Sequence, residues 1–257
     1  MDYKLLMDTA MLAGKMMLES GAETYRVEDT MHHILKTSHL EVVEILVVLT
    51  GITACISGEN VAPVTLIQGI EKRGTNLSVI EQVNQISRRY CGGGIELQEA
   101  YDQLKRVESV PYPSALAFFI PLAVAVGFTI SLGGSLYDVL ATVIVGLALS
   151  GVMAGAETAG IDGLILDIGT SFCVGLMAVI VKSILGEAIN LDIVVIGSIM
   201  PLVPGVAITN AVRDTLQGDY ISGCARILEA FLKAAAIALG VGVAFAVFGN
   251  GIMGGNL

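Results

Sequence analysis

Reactive chemistry is sparse in this sequence. Its four cysteines, Cys55, Cys91, Cys173 and Cys224, form no CxxC pair and no Cys/His cluster. Neither a zinc site, a redox motif nor a disulfide framework is indicated. The three histidines, His32, His33 and His39, sit near a helix end with no acidic or cysteine partner at ligand spacing, and read as a solvated helix face. There is no GxSxG elbow, no phosphate loop and no reactive Cys–His pair, so the residues nominate no catalytic group and no cofactor. Basic residues are also few. Fourteen Lys and Arg stand against 24 Asp and Glu, a net charge of −10. With no basic stripe to displace counterions, a nucleic-acid partner is excluded. The opening stretch MDYKLLMDTAMLAGKMMLES lacks a basic n-region, and Asp2, Asp8 and Lys15 interrupt its apolar residues. It does not read as a signal peptide, so the N-terminal part is expected to remain in the cytoplasm.

What is present is apolar and unevenly spread. Hydrophobic residues make up 54% of the 257 residues, and the mean hydropathy is +0.76. Ten of the 14 Lys/Arg and 15 of the 24 Asp/Glu fall in residues 1–113. The expected organisation is an α+β cytoplasmic domain over 1–113, followed by an all-α multi-pass membrane domain of five transmembrane helices over 114–257. In the first domain, helical periodicity covers 3–19, a second helix runs from Glu23 to Lys36, and EVVEILVVLTGITACISG reads as two strands. VAPVTLIQG offers a third strand, Asn76 or Ser78 caps a helix reaching Arg89, and Glu96–Val107 offers another. This order predicts helices on one face of a small antiparallel sheet. The segment SGAETYRVEDTM, residues 20–31, is dense in charge. Glu23 and Arg26, three apart, share a helix face and can pair.

The expected spans are about 114–132, 139–156, 163–181, 193–212 and 230–249. Lys105 and Arg106 precede the first, while Arg213 and Arg226 lie in the loop expected between the fourth and fifth, so the positive-inside rule puts the N-terminal domain and the loop 213–229 in the cytoplasm. Small residues recur four apart at Gly151/Gly155, Ala236/Gly240 and Gly242/Ala246, a spacing that lets helices approach closely. Asp167 is a carboxylate inside a span and marks a pathway by default, with Glu157 and Asp162 in the preceding loop. The fourth span, IVVIGSIMPLVPGVAITNAV, contains Pro201, Pro204 and Gly205 at its middle. Pro204 lacks an amide hydrogen and clashes with the preceding turn. Broken helices of this kind hold midplane substrate sites in secondary transporters, and a packed proline kink is the alternative reading. Arg213 can meet a substrate carboxylate, or can anchor a helix end together with Asp214. Five spans leave no room for a paired repeat, which hints at a second subunit or a homo-oligomer.

PLVPGVAITNAVRDTLQGDYISG, residues 201–223, together with SGAETYRVEDTM, resembles the two signatures of the threonine/serine exporter family in the right order. The resemblance implies an inner-membrane secondary exporter of the short, split type, working with a separate small membrane subunit. Threonine or serine is the implied substrate, with succinate associated with the split type. The family pattern maps onto Pro201, Pro204, Gly205, Asn210, Arg213, Asp214, Gly218 and Asp219 as a substrate pathway. The N-terminal motif maps onto Gly21, Glu23, Tyr25, Arg26 and Glu28. Three functions follow as expectations. The first is a proton-coupled exporter with Asp167 or Glu157 as coupling carboxylate, the second a membrane-tethered hydrolase-like enzyme around Glu23, Arg26 and Glu28. In the third, the N-terminal domain regulates the spans.

Overall fold

The computed structural model describes residues 2–108 and 113–249, with the side chains of Ser114 and Glu157 outside that description. The chain forms two compact units, Met1–Pro111 with Val206–Ile227 and Tyr112–Gly205 with Leu228–Leu257.

In the first unit, α1 (Tyr3–Glu19) begins where the Asp2 carboxylate accepts from the Leu5 amide at 3.0 Å. Leu6, Met7, Ala10, Ala13 and Met17 recur at helical spacing and are fully buried. Gly21, at φ +85°, ends the helix. The Gly21 amide bonds to the Leu18 carbonyl and the Ala22 amide to that of Met17, the Schellman pattern that a left-handed residue allows. A Cβ at Gly21 would also strike the Gly74 carbonyl. Helix α2 (Thr24–Lys36) lays Val27, Met31, Ile34 and Leu35 against α1 and the sheet. Strands β1 (Val42–Val48), β2 (Gly51–Gly58) and β3 (Val61–Gly69) form an antiparallel meander in the order β1-β2-β3. Ile52, Ala54 and Ile56 alternate into the core from the central strand. Side chains of the opposite parity leave the second face open, with Leu46 and Ile67 both exposed in the row through Thr53. Asn76 caps α3 (Leu77–Cys91), and α4 (Leu97–Lys105) closes the core with Leu104.

The same unit contains α9 (Gly205–Leu216) from Val206 onward and the start of α10 (Tyr220–Ala244). Here the structure differs from the expected loop over 213–229: only Gln217–Asp219 separate the two helices. The turn has its own chemistry. Gly218, at φ +93°, makes a second Schellman ending with Asp219, and the Asp219 carboxylate accepts from the Ser222 amide at 3.1 Å, capping α10. Hydropathy distinguishes apolar from polar windows, not helix from loop, so a polar helix start was read as loop.

The second unit is helical. It comprises α5 (Ser114–Ser131), α6 (Leu136–Ala159), α7 (Gly163–Leu185), α8 (Leu191–Ile199) and the remainder of α10, which runs into a wider turn over Phe245–Gly249. Ala141, Val145, Leu149, Val174, Ala178, Val194 and Ile237 form its core. Of the small-residue pairs, Gly240 packs against the Ser171 side chain and the α7 backbone, whereas Gly151, Gly155 and Gly242 face open space. Among the described residues, α6, α7 and α10 are long and apolar enough to cross a membrane. A fourth span exists if the bent pair Leu191–Leu202 and Gly205–Leu216 counts as one. The apolar stretch of α5, Ala115–Ser131, is shorter than those three.

Candidate functional site

The expected break in the fourth apolar segment lies at Val203–Pro204. Helix α8 tightens into a 3₁₀ turn over Met200–Leu202 that holds Pro201, Val203 is extended (φ −63°, ψ 130°), and α9 restarts at Gly205. The Gly205 amide donates to the Val203 carbonyl at 2.8 Å.

Within the first unit, α9 presents Asn210, Ala211 and Asp214 as a buried stripe, three and four residues apart. This stripe meets the turn between α1 and α2, so both family-like motifs converge on one cluster. Asp214 is fully buried, and its carboxylate accepts from the Thr24 amide at 3.2 Å, the Thr24 hydroxyl at 2.9 Å and Arg226 Nε at 2.8 Å. Thr24 is the first residue of α2, and the capping residue Glu23 makes no side-chain cap bond. Asp214 therefore caps α2 from another helix, a carboxylate at the positive end of the helix dipole. Arg226 donates its other nitrogen to the Ala22 carbonyl at 2.7 Å, and Asn210 donates to the Gly21 carbonyl at 2.9 Å. The left-handed Gly21 turn thus offers two consecutive carbonyls to the α9–α10 hairpin. Gly223, where a Cβ would strike Thr215 and the Ala211 carbonyl, lets those two helices close on each other.

At the edge of the cluster, Arg213 donates to Glu23 Oε1 at 2.6 Å, and Arg26 reaches Glu23 Oε2 at 3.4 Å. The Glu23 side chain is buried while that of Arg213 is 56% exposed. Burial would raise the Glu23 carboxyl, but its own backbone amide, the Arg213 hydrogen bond and the charges of Arg26 and Arg213 outweigh that and hold it below its ordinary value of 4.5. A depressed folded-state pKa contributes stability that is complete above about pH 4.5 and is lost as the pH falls toward the folded value. Glu23→Gln is therefore expected to flatten the acid limb of the unfolding midpoint plotted against pH. An unchanged acid limb would mean that the Glu23–Arg213 contact does not persist in solution.

Glu28 accepts from the Val47 amide at 3.0 Å. Burial raises its carboxyl, the Val47 bond opposes this, and the Asp219 charge adds to it. Tyr25 is exposed. Among the described residues Glu23 pairs with Arg26 and Arg213 and Glu28 with the Val47 amide, and these contacts hold no nucleophile–base pair. Thr24 is absent from the sequence reading, and Arg226 enters it only as a marker of the cytoplasmic side. The available signal was Arg226 itself, a cation flanked by Ala225, Ile227 and Leu228, which must find a partner once helical.

In the second unit, Asp167 lies buried on α7, 3.4 Å from Lys233 of α10. The side chain of Glu157 lies outside the described residues. Asp138 is also buried. It accepts from the Ser135 amide and hydroxyl at 2.7 and 2.8 Å and from the Asn190 amide at 2.6 Å, tying the starts of α6 and α8 together.

No solved structure matches this chain. A protein of Mycobacterium tuberculosis (strain ATCC 25618 / H37Rv) named "Probable threonine/serine exporter" is similar, at 25% identity over 251 residues. The match covers 92% of this chain and 45% of that protein, so the chain spans about half the length of the curated relative it matches. Residues 8–248 match the family model "ThrE: Putative threonine/serine exporter". That family is one of membrane exporters and not of enzymes. With both signatures present and nearly the whole sequence matched, this chain belongs to the threonine/serine exporter family.

Proposed function

We propose that the chain belongs to a proton-coupled secondary exporter that carries threonine or serine out across the plasma membrane. The family and the named relative support the substrate class. A second membrane subunit of the same family, or a second copy of this chain, is the partner this reading implies. In this reading α5 joins α6, α7, the broken α8–α9 segment and α10 to make five spans, with the N-terminal domain of residues 1–113 in the cytoplasm. The exposed stripe Ile208, Val212 and Leu216 on α9 is consistent with lipid contact.

The observation that carries the coupling is the Asp167–Lys233 pair. Ionisable residues within apolar helices are costly and mark proton relays by default. A proton arriving at Asp167 cancels the carboxylate and releases Lys233, and its departure restores the pair. The start of α9 and Arg213 meet the substrate carboxylate, with Pro201 and Pro204 keeping the helix broken and Asn210, Asp214 and Asp219 shaping the cytoplasmic end. Glu157 remains a second coupling candidate.

The test is efflux of radiolabelled threonine, serine and succinate from cells lacking their own exporters, with this chain expressed alone and beside a candidate small subunit. Threonine or serine efflux only with both chains is the expected result. Succinate efflux instead keeps the architecture and replaces the substrate. Efflux of none of the three, with both chains inserted, would refute export.

A further inference from the structure

A cleft of about 320 Å³ opens in the first unit between α2 and α3, and Arg26 on its wall reaches Glu23 at the edge of the cluster around Asp214. Its walls carry Arg26, Asp29 and His33 from α2 and Asn84, Arg88 and Cys91 from α3. The volume sits at the lower end of the range for ligand sites, about 300–1,000 Å³. An adjoining depression is also lined by Arg26, Asn84 and Arg88, so these three residues bound one continuous polar surface.

The donors there are under-used. Arg88 makes no ion pair or side-chain hydrogen bond among the described residues. Arg26 has only the 3.4 Å contact with a Glu23 that Arg213 already holds at 2.6 Å. A guanidinium carries five N–H donors in a planar fork that matches a carboxylate. His33 turns Nδ1 to the Asp29 carbonyl at 2.7 Å, leaving Nε2 toward solvent or a ligand. The half-buried Asn84 amide adds two more donors. One wall residue, Asp29, is acidic and exposed, its carboxylate 3.4 Å from His33 Nδ1, and it can also take an ammonium group.

We propose that this cleft binds a small carboxylate-bearing metabolite, gripped between Arg26 and Arg88. Its lining holds none of the residues placed in the export pathway, and it does not require that pathway. Through Arg26 it shares a residue with the Glu23–Arg213 pair, so an occupied cleft draws one of the two cations away from Glu23.

Cys91 on the wall is exposed and provides a local readout, with the exposed Cys224 on α10 as internal reference. The experiment measures alkylation of both thiols by peptide mass spectrometry on the full chain in detergent. Probes are millimolar threonine, serine or succinate, with threonine amide as a control lacking the carboxylate. Slower modification of Cys91, with Cys224 unchanged, is expected from at least one carboxylate and not from the amide. Protection by the amino acids alone assigns Asp29 to their ammonium group, and protection by succinate alone assigns both arginines to one dicarboxylate. Arg88→Gln removes a charged fork and raises the half-protecting concentration about tenfold or more, while Arg89→Gln, exposed beside it and facing Gln103, leaves it unchanged. No protection by any carboxylate, or protection that survives Arg88→Gln, overturns the proposal. Protection without efflux would uphold the cleft and sink the export reading, and efflux without protection would do the reverse.

Discussion

Asp214→Ala is expected to destabilise the first unit by about 3–5 kcal/mol, out of a total stability of about 5–15 kcal/mol usual for a domain. The carboxylate is fully buried and accepts three donors, two from Thr24 and one from Arg226. Its removal leaves the Arg226 guanidinium buried with only the Ala22 carbonyl, and takes the cap from α2. Asp214→Asn keeps an acceptor for Thr24 but not the charge, and should fall between the two. Arg213→Ala provides the contrast. Its side chain is 56% exposed, so losing the Glu23 pair should cost less than about 1 kcal/mol. Denaturant unfolding of the purified chain, with hydrogen exchange at the Thr24 amide, measures both variants. A loss under about 1 kcal/mol for Asp214→Ala would mean that the cluster does not hold the unit together. If Arg213→Ala abolishes efflux while leaving stability intact, the role of Arg213 is in transport and not in assembly.

The second large effect is expected from Asp167→Asn, which should reduce gradient-driven flux to background while the chain still inserts into the membrane. Asn is close in shape but cannot carry the proton. Lys233 then loses its partner, but it stands close to the start of its expected span, from which a long side chain can carry its charge to the interface, so insertion survives. Structural and coupling roles separate in the double variant Asp167→Asn/Lys233→Met. If the pair only neutralises charge between α7 and α10, removing both charges restores flux. If Asp167 carries the proton, flux stays at background. Unchanged flux in Asp167→Asn alone would exclude it as the coupling group and leave Glu157 as the candidate.

Local signals in this chain were legible where local physics decides them. Asn76 sits at a helix start as a cap, Ile52, Ala54 and Ile56 alternate through a central strand, and the break falls beside Pro204, which cannot donate to a helix. The second motif was legible as a motif but not as a structure. Asp214 and Arg226 are 12 residues apart and meet only because Gly218 and Asp219 turn α9 into α10. The Asp214–Thr24 contact spans 190 residues, which no periodicity encodes. The small-residue pairs divide, Gly240 packing closely against α7 as its spacing allows. Gly151 and Gly155 have the spacing for close packing but face open space, because spacing gives a face and not the element that covers it. Asp138 was passed over for a related reason. It stands one residue before the expected second span, where an acidic residue reads as solvated interface, and its partner Asn190 is 52 residues away.

The most direct test of the export reading is flux in vesicles reconstituted with this chain and a candidate second subunit, loaded with radiolabelled threonine or serine, with and without an imposed proton gradient. The account predicts that the gradient accelerates flux of at least one of the two amino acids, and that Asp167→Asn abolishes the acceleration. Flux indifferent to the gradient, or none for either amino acid with both chains inserted, would contradict it.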